Sequence, residues 1–538
     1  MDYLDVQIEG RIFNAAEVAA ALDTSFLSEK DLPALLNKAF LKWGAQMVNH
    51  LDGEFVAAVE DKRENSVYLF RDRLGVRTLY YTVLGGKLVY STDLAKLLRC
   101  PGLKPVLDRE GICELFGLGP ARTPGKTPIA NVQELPPGCF LRCHKNRVVM
   151  VPYWKLETKP WEGTEEEAVE RGRELLLTAL RKRLPKEPVA VLLSGGLDSS
   201  YLAALYAKEQ ASLMTYSLDF VGSQQYFVPN SFQPELDRPF VEKMAHVLNS
   251  RHKTILCDVK TQVAGLKDAM MNHGIPCMAD IQTTLNYVCR EVAKENHFLL
   301  TGECADEIFG GYPWFHVPEY VDYEGFPWMY DLTLRQSLLH KDVAEKVALS
   351  EYVGACYEEA IRGIEYLEGE DESSRKLRKN TYLTIYYFMQ TLIRRTDVAV
   401  SAYGQRGIVP FADPDLVEFA YNLPWSLKAK NGTRKYVLRQ MAQGILPEEV
   451  RNRPKSPYPK NYHPDYLKLL GVLWEEARKE ECPVFALVEE SVLEALLHAE
   501  TRVERPWFGQ LMKGPQMVAY LYMVNEWMKE FDVSVELS

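Results

Sequence analysis

Apolar and polar residues follow two different rhythms along this chain, and the rhythm changes near residue 155. Upstream, residues 54–59, 66–70 and 87–90 are short apolar and β-branched runs separated by turn or charged residues, the pattern of strands. The alternating stretch 140–145, followed by Asn146 and Arg147, predicts a hairpin. Downstream, residues 161–184 carry the pattern of a charged amphipathic helix. Apolar runs at 189–193, 213–218, 254–257 and 298–301 then alternate with helical patterns at 201–207, 238–248 and 281–296. Strands alternating with helices predict the α/β class: a doubly wound parallel sheet with helices on both faces, preceded by a smaller α+β domain. From about residue 341 the pattern turns mostly helical, and there are no internal repeats.

The end of the run 189–193 carries the first candidate chemistry. Pro185 and Pro188 lead into this run, which suits a buried parallel strand, and Ser194-Gly195-Gly196-Leu197-Asp198-Ser199-Ser200 follows it. Glycines let the backbone approach an anion, and the next helix offers unpaired N–H groups at its N-terminus. Ser194, Ser199 and Ser200 add hydroxyls, and Asp198 is an oxygen ligand suited to magnesium. The string lacks the Gly-Lys-Ser/Thr of a Walker loop and the Gly-x-Gly-x-x-Gly of a dinucleotide fold. It resembles the pyrophosphatase (PP) loop of enzymes that cleave ATP between the α and β phosphates.

A second constellation, Thr301-Gly302-Glu303-Cys304-Ala305-Asp306-Glu307-Ile308-Phe309-Gly310-Gly311-Tyr312, follows the run 298–301. In a doubly wound sheet both strand ends can open onto one crevice, which makes Asp198 and Asp306 joint candidates for magnesium. A solvated turn also accommodates acidic residues, but it does not account for glycines bounding a strand-to-loop junction.

At 538 residues the chain is long enough for two or three domains, and 47% hydrophobic residues supply their cores. A net charge of -11 argues against a broad nucleic-acid or membrane surface. Without a bilayer-length apolar run or a charged-then-apolar leader, the expected location is cytoplasmic. The ten cysteines are scattered without a Cys-x-x-Cys, so they suggest neither a disulfide framework nor a metal ribbon.

Taken together, residues 194–200 and 302–315 are similar to the synthetase domain of the asparagine synthetase family. The similarity extends through residues 71–77, 119–125, 434–439, 455–460 and 514–517, and so covers nearly the whole chain. It implies a glutaminase-like domain over residues 1–155 and an ATP-pyrophosphatase domain over residues 160–538. It further implies adenylation of the aspartate side chain by ATP with Mg2+, then displacement of AMP by ammonia. Leu192, Ser194, Gly195, Gly196, Leu197, Asp198, Ser199, Ser200, Leu218, Thr301 and Gly302 would bind the nucleotide. Glu303 matches the family's glutamate for intermediate formation and ammonia deprotonation, and Lys435 its pyrophosphate-stabilising lysine. Arg434, Arg439, Arg451, Arg453, Lys455 and Lys460 crowd the same region, a local basic excess that favours a polyphosphate partner. The expected partners are small molecules, aspartate or a related carboxylate and ammonia, with no nucleic acid and no membrane. The oligomeric state stays open, a homodimer included.

Departures from the family's pattern bear on the nitrogen source and the acceptor. Glutamine-using members begin Met-Cys-Gly-Ile, and that cysteine is the nucleophile. Here residue 2 is Asp2, the first cysteine is Cys100, Glu9 stands where the family has a glutamine-binding asparagine, and no aspartate follows Thr24-Ser25. A truncated, cysteine-less glutaminase domain and ammonia as nitrogen source are therefore expected, with a missing N-terminal segment as the alternative. At 403–411, Arg406 and Ile408 replace an acid and a base of the family, so a charge pair near the acceptor pocket is expected to be rewritten. That leaves another ATP-dependent amide-forming ligase, similar to β-lactam synthetases, as a second reading.

Overall fold

The structure is a computed structural model that describes residues 3–210, 212–229, 233–499 and 503–537. Its N-terminal part is built on a five-stranded antiparallel sheet in the order Leu4–Ile12, Gly53–Asp61, Ser66–Arg71, Cys139–His144, Arg147–Pro152. The strand Gly53–Asp61 reads as a nearly continuous apolar run because both of its faces are buried. Phe55, Ala57 and Val59 pack under the helices Ala15–Ala21 and Leu32–Trp43. Val56 and Ala58 pack on the other side with Tyr81 of a small three-stranded sheet and with Leu79 and Leu135, which flank its strands. The hairpin expected at 140–145 forms, with Cys143 opposite Val148, and it turns Cys139 and Cys143 into that second core.

The second half contains the expected parallel sheet. Its order is Arg251–Cys257, Met214–Phe220, Ala190–Leu192, Phe298–Leu300, Arg406–Ile408, every pair parallel. The fifth strand was not anticipated, because three residues containing an arginine and a glycine give no apolar run. In chain order the strands lie 3-2-1-4-5, so the direction of winding reverses between Ala190–Leu192 and Phe298–Leu300. That reversal point is where doubly wound sheets open a crevice at their carboxyl ends.

The helix expected at 161–184 spans Glu165–Arg183. It begins where Thr164 accepts from the Glu167 amide and Glu167 reaches back to the Thr164 amide, a reciprocal cap that excludes Trp161 from the helix.

The largest core crosses the change of rhythm at residue 155. Leu107, Ile112 and Phe116 share it with Trp474, Trp527 and the helix Gly514–Glu530. The C-terminal residues Ser534–Val535 add to this by pairing in parallel with Val106–Leu107. Among the described residues, no helix is long and apolar enough to cross a membrane.

Candidate active site

The loop after Ala190–Leu192 is shaped by Gly195, which adopts φ +69. A Cβ there would lie 2.7 Å from both Phe240 Cβ and the Val241 nitrogen, so only glycine fits the close approach. The Ser199 hydroxyl accepts from the Ser194 amide at 3.1 Å and lies 2.9 Å from the Ser194 hydroxyl. The helix Leu197–Ala207 starts immediately, earlier than the pattern at 201–207 suggested, and no side chain caps its N-terminus. Its first amides stay free to meet an anion. Leu197, the first residue of this helix, is buried in the core that also holds Val241 and Ile308.

The loop after Phe298–Leu300 faces this one. Gly302 sits so close that a Cβ would lie 2.9 Å from the Ser199 nitrogen. Between the two loops lies an ionic cluster. Lys435 Nζ is 2.6 Å from Asp198 Oδ2 and 2.5 Å from Asp306 Oδ1, and Lys455 Nζ is 2.6 Å from Asp306 Oδ2. Lys435 holds this position from a left-handed backbone, φ +55, ahead of the helix Tyr436–Met441. Burial opposes ionisation of Asp306, but the combined charges of Lys435 and Lys455 outweigh it and hold the carboxyl at about 2. Asp198 is pushed up, by burial first and by the neighbouring Asp306, despite Lys435.

Asp198 Oδ1 is buried and has no hydrogen-bond partner, as has Thr301 Oγ1. An orphaned carboxylate oxygen beside a second carboxylate fits magnesium, which takes one or two protein carboxylates and completes its shell with water and phosphate oxygens. Among the described residues no cluster of three or more His, Cys, Asp or Glu offers a fuller metal cage.

The cluster forms one wall of a cavity of about 180 Å3. Leu192, Ser194, Asp198, Ser199, Leu218, Thr301, Gly302, Glu303 and Asp306, all named as candidates from the sequence, line it. Gly195, Gly196, Leu197, Ser200 and Lys435 are not among its lining residues; Gly195 shapes the loop, Leu197 and Ser200 are buried, and Lys435 acts through the two carboxylates. Glu303 is held by Arg395, whose Nη2 donates to Oε1 at 2.5 Å from the helix Met389–Ser401. Glu307 accepts from the Tyr312 hydroxyl at 2.6 Å, and burial together with the Asp306 charge pushes its carboxyl up to about 8. Residues 508–511 close the cavity from the C-terminal region.

Sequence reasoning missed Arg395 and the segment 508–511, because nothing local marks either as reaching a loop far away in the chain. The basic residues of that region divide their work. Arg439 donates to the Arg434, Arg451 and Arg453 carbonyls and is a backbone strut. Arg453 bonds Asp237 at 2.5 Å and reaches the Ser194 carbonyl at 3.4 Å, which ties that segment to the loop.

One expectation is corrected. Arg406 is half-exposed on the edge strand, where it pairs with Glu29 of the N-terminal part at 2.7 Å, and Ile408 is buried in the core. Neither lines the cavity, because the edge position of their strand turns them away from the crevice.

In the N-terminal part, Glu9 accepts from the Thr92 hydroxyl at 3.1 Å and lies 3.6 Å from Arg77, which also pairs with Asp397. Burial pushes the Cys113 thiol up to about 12 and the Cys139 thiol up to about 11, the opposite of an activated nucleophile. Asp2 lies outside the described residues.

The family model described as asparagine synthase matches residues 171–529, and the one described as glutamine amidotransferase domain matches residues 2–154. The chain is 36% identical over 546 aligned positions to asparagine synthetase (glutamine-hydrolyzing) 3 of Bacillus subtilis, covering 99% of this chain and 88% of that protein. It is 25% identical to asparagine synthetase (glutamine-hydrolyzing) 1 of the same organism, covering 84% and 74% of the two chains. It is also 25% identical to Amidase chry2 of Gibberella zeae, covering 85% and 77%.

Proposed function

The chain belongs to the asparagine synthase family of amide-forming ligases, and from that premise we propose that it makes asparagine from aspartate, ATP and ammonia through a β-aspartyl-AMP intermediate. The observation that carries this reading is Lys435 bridging Asp198 and Asp306 across the switch point, with Glu303 facing the same cavity. The amides of the Ser194–Ser200 loop and the Lys435 and Lys455 ammonium groups suit the charge that develops on a leaving pyrophosphate. Magnesium held by Asp198 and Asp306 would add its charge to that stabilisation when bound. Leu192, Leu218 and Thr301 line the same cavity and are the residues assigned to the nucleotide in this reading. Aspartate's side-chain carboxylate attacks the α-phosphorus, pyrophosphate leaves, ammonia then attacks the acyl carbon and AMP leaves. Glu303, positioned by Arg395, is the group that takes the proton from the attacking ammonia.

Ammonia rather than glutamine is supported by the N-terminal part. Glu9 places a carboxylate where the family keeps an amide, and a carboxylate there repels the substrate carboxylate. The buried thiols Cys113 and Cys139 offer no replacement nucleophile. We assign residues 1–155 to a decayed glutaminase-like unit retained for packing, and residues 160–538 to the synthetase.

A second reading has one observation in its favour. Met278, Ile281, Phe388, Leu392 and Phe508 give the cavity more apolar wall than aspartate needs, which suits a larger carboxylic acid joined to an amine. Purified protein with ATP, magnesium and aspartate should release pyrophosphate, and should form asparagine with ammonium but not with glutamine. Pyrophosphate release that needs some other acid transfers the assignment to the second reading, and asparagine formation from glutamine overturns the nitrogen source.

A further inference from the structure

A second cavity, of about 260 Å3, shares no lining residue with the one at the switch point. It lies where three connecting segments meet: residues 160–161, the loop 367–370 and the turn 421–425. Trp161, Tyr421 and Trp425 give it aromatic walls. Arg378 enters from the helix Glu372–Leu383, with its side chain 8% exposed. Its Nε donates to both Glu370 oxygens, at 2.8 and 3.0 Å, while its Nη1 is buried without a hydrogen-bond partner. Trp161 Nε1 is buried and unpartnered as well. Glu368 stands exposed at the rim.

Buried donors without acceptors are unfavourable, and this chain keeps two of them on side chains that line an open volume. A guanidinium edge and an indole N–H want a carboxylate. The rim carboxylate wants a cation, and the aromatic walls between want an apolar or planar body. Those three demands are met together by an amino-acid zwitterion with a sizeable apolar side chain.

The cavity also touches the catalytic loop through one residue. The Trp425 ring packs so tightly on Gly310 that a Cβ there would lie 2.6 Å from the indole, and the same ring packs 5.2 Å from that of Phe315. The next residue, Gly311, is in contact with Asp306 and Lys435. A ligand that shifts Trp425 therefore bears on the position of the ionic cluster.

We propose that this cavity is an effector site for a free α-amino acid with an apolar or aromatic side chain, and that its occupancy is transmitted through Trp425 to the loop at Gly310. The assignment does not depend on which acid the enzyme amidates. The test is calorimetric titration of the full chain with phenylalanine, tryptophan, leucine and methionine, and with acetate as the bare carboxylate. At least one amino acid should bind at one site. Its affinity should weaken by about ten-fold or more in Ser374→Phe, which fills the cavity, and in Arg378→Lys, which keeps the charge beside Glu370 but loses the fork. Ser374→Phe should keep the basal rate of pyrophosphate release, which reports that it folds. Saturation of the wild type should change that rate by roughly two-fold or more. The proposal is overturned if no amino acid binds at millimolar concentration, if binding survives both variants, if acetate binds as well as the best amino acid, or if a bound amino acid leaves the rate unaltered. The calorimetric arm decides the site even where aspartate is not the acceptor.

Discussion

Lys435 keeps two carboxylates together that would otherwise repel each other in a buried crevice. Its left-handed φ of +55 is a strained conformation for a residue with a Cβ, held by the ion pairs at the end of its side chain. Lys435→Ala should lower pyrophosphate release by about a hundred-fold or more while leaving the far-ultraviolet dichroism unchanged; unaltered turnover would remove Lys435 from the mechanism. Glu307 gives a second test at this scale. Its carboxyl stands at about 8 in the folded chain against 4.5 ordinarily, so the folded state binds the extra proton between those values. Stability therefore falls as pH rises through that window, because the unfolded chain has already released its proton. Urea unfolding at several pH values should show Glu307→Gln losing less stability than the wild type between about pH 5 and pH 8. Parallel slopes in the two proteins would contradict the shift.

Two strand-to-helix junctions build the site from opposite sides of the reversal point, and each depends on glycine for contact rather than for flexibility. A Cβ at Gly311 would lie 1.8 Å from Asp306 Oδ1 and 2.4 Å from Lys435 Cε, so these side chains must move to admit it. Gly311→Ala should cut pyrophosphate release by about a hundred-fold, the scale of a misplacement near 1 Å, with little change in thermal midpoint. Retention of full activity would mean that the ionic cluster is not needed in this geometry. The helix Met389–Ser401 works as a distributor: Arg394 pairs with Glu134, Arg395 with Glu303 and Asp397 with Arg77. Neighbouring residues on one helix thus reach the N-terminal part and the cavity at once, because successive side chains leave a helix in different directions.

The two parts of the molecule are joined through buried charge. Arg183 is almost fully buried and pairs with Glu54 of the N-terminal part at 2.6 Å and with Asp413 at 2.7 Å. Arg183→Met leaves the buried Glu54 without its cation and Asp413 with Lys182 alone, and should lower unfolding stability by about 3 kcal/mol in urea titration; a loss within experimental error would show the pair to be dispensable. How far this molecule can be read from its chain divides along a physical line. The strand at Ala190–Leu192, the glycine turn behind it, the helix start that follows and the second acidic loop were legible, since backbone freedom and burial pattern are properties of neighbouring residues. Arg395 on Glu303 and Lys455 on Asp306 were not, and Arg406 was placed at the acceptor pocket when it faces Glu29. With 63 basic and 74 acidic residues, the chain alone does not say which cation meets which carboxylate. By itself the sequence determined the two loops at the carboxyl ends of the strands and the family they belong to. The tertiary structure alone decided their ion partners, the core shared across residue 155 and the second cavity, because pairing over such separations is set by which segments the buried apolar surface brings together.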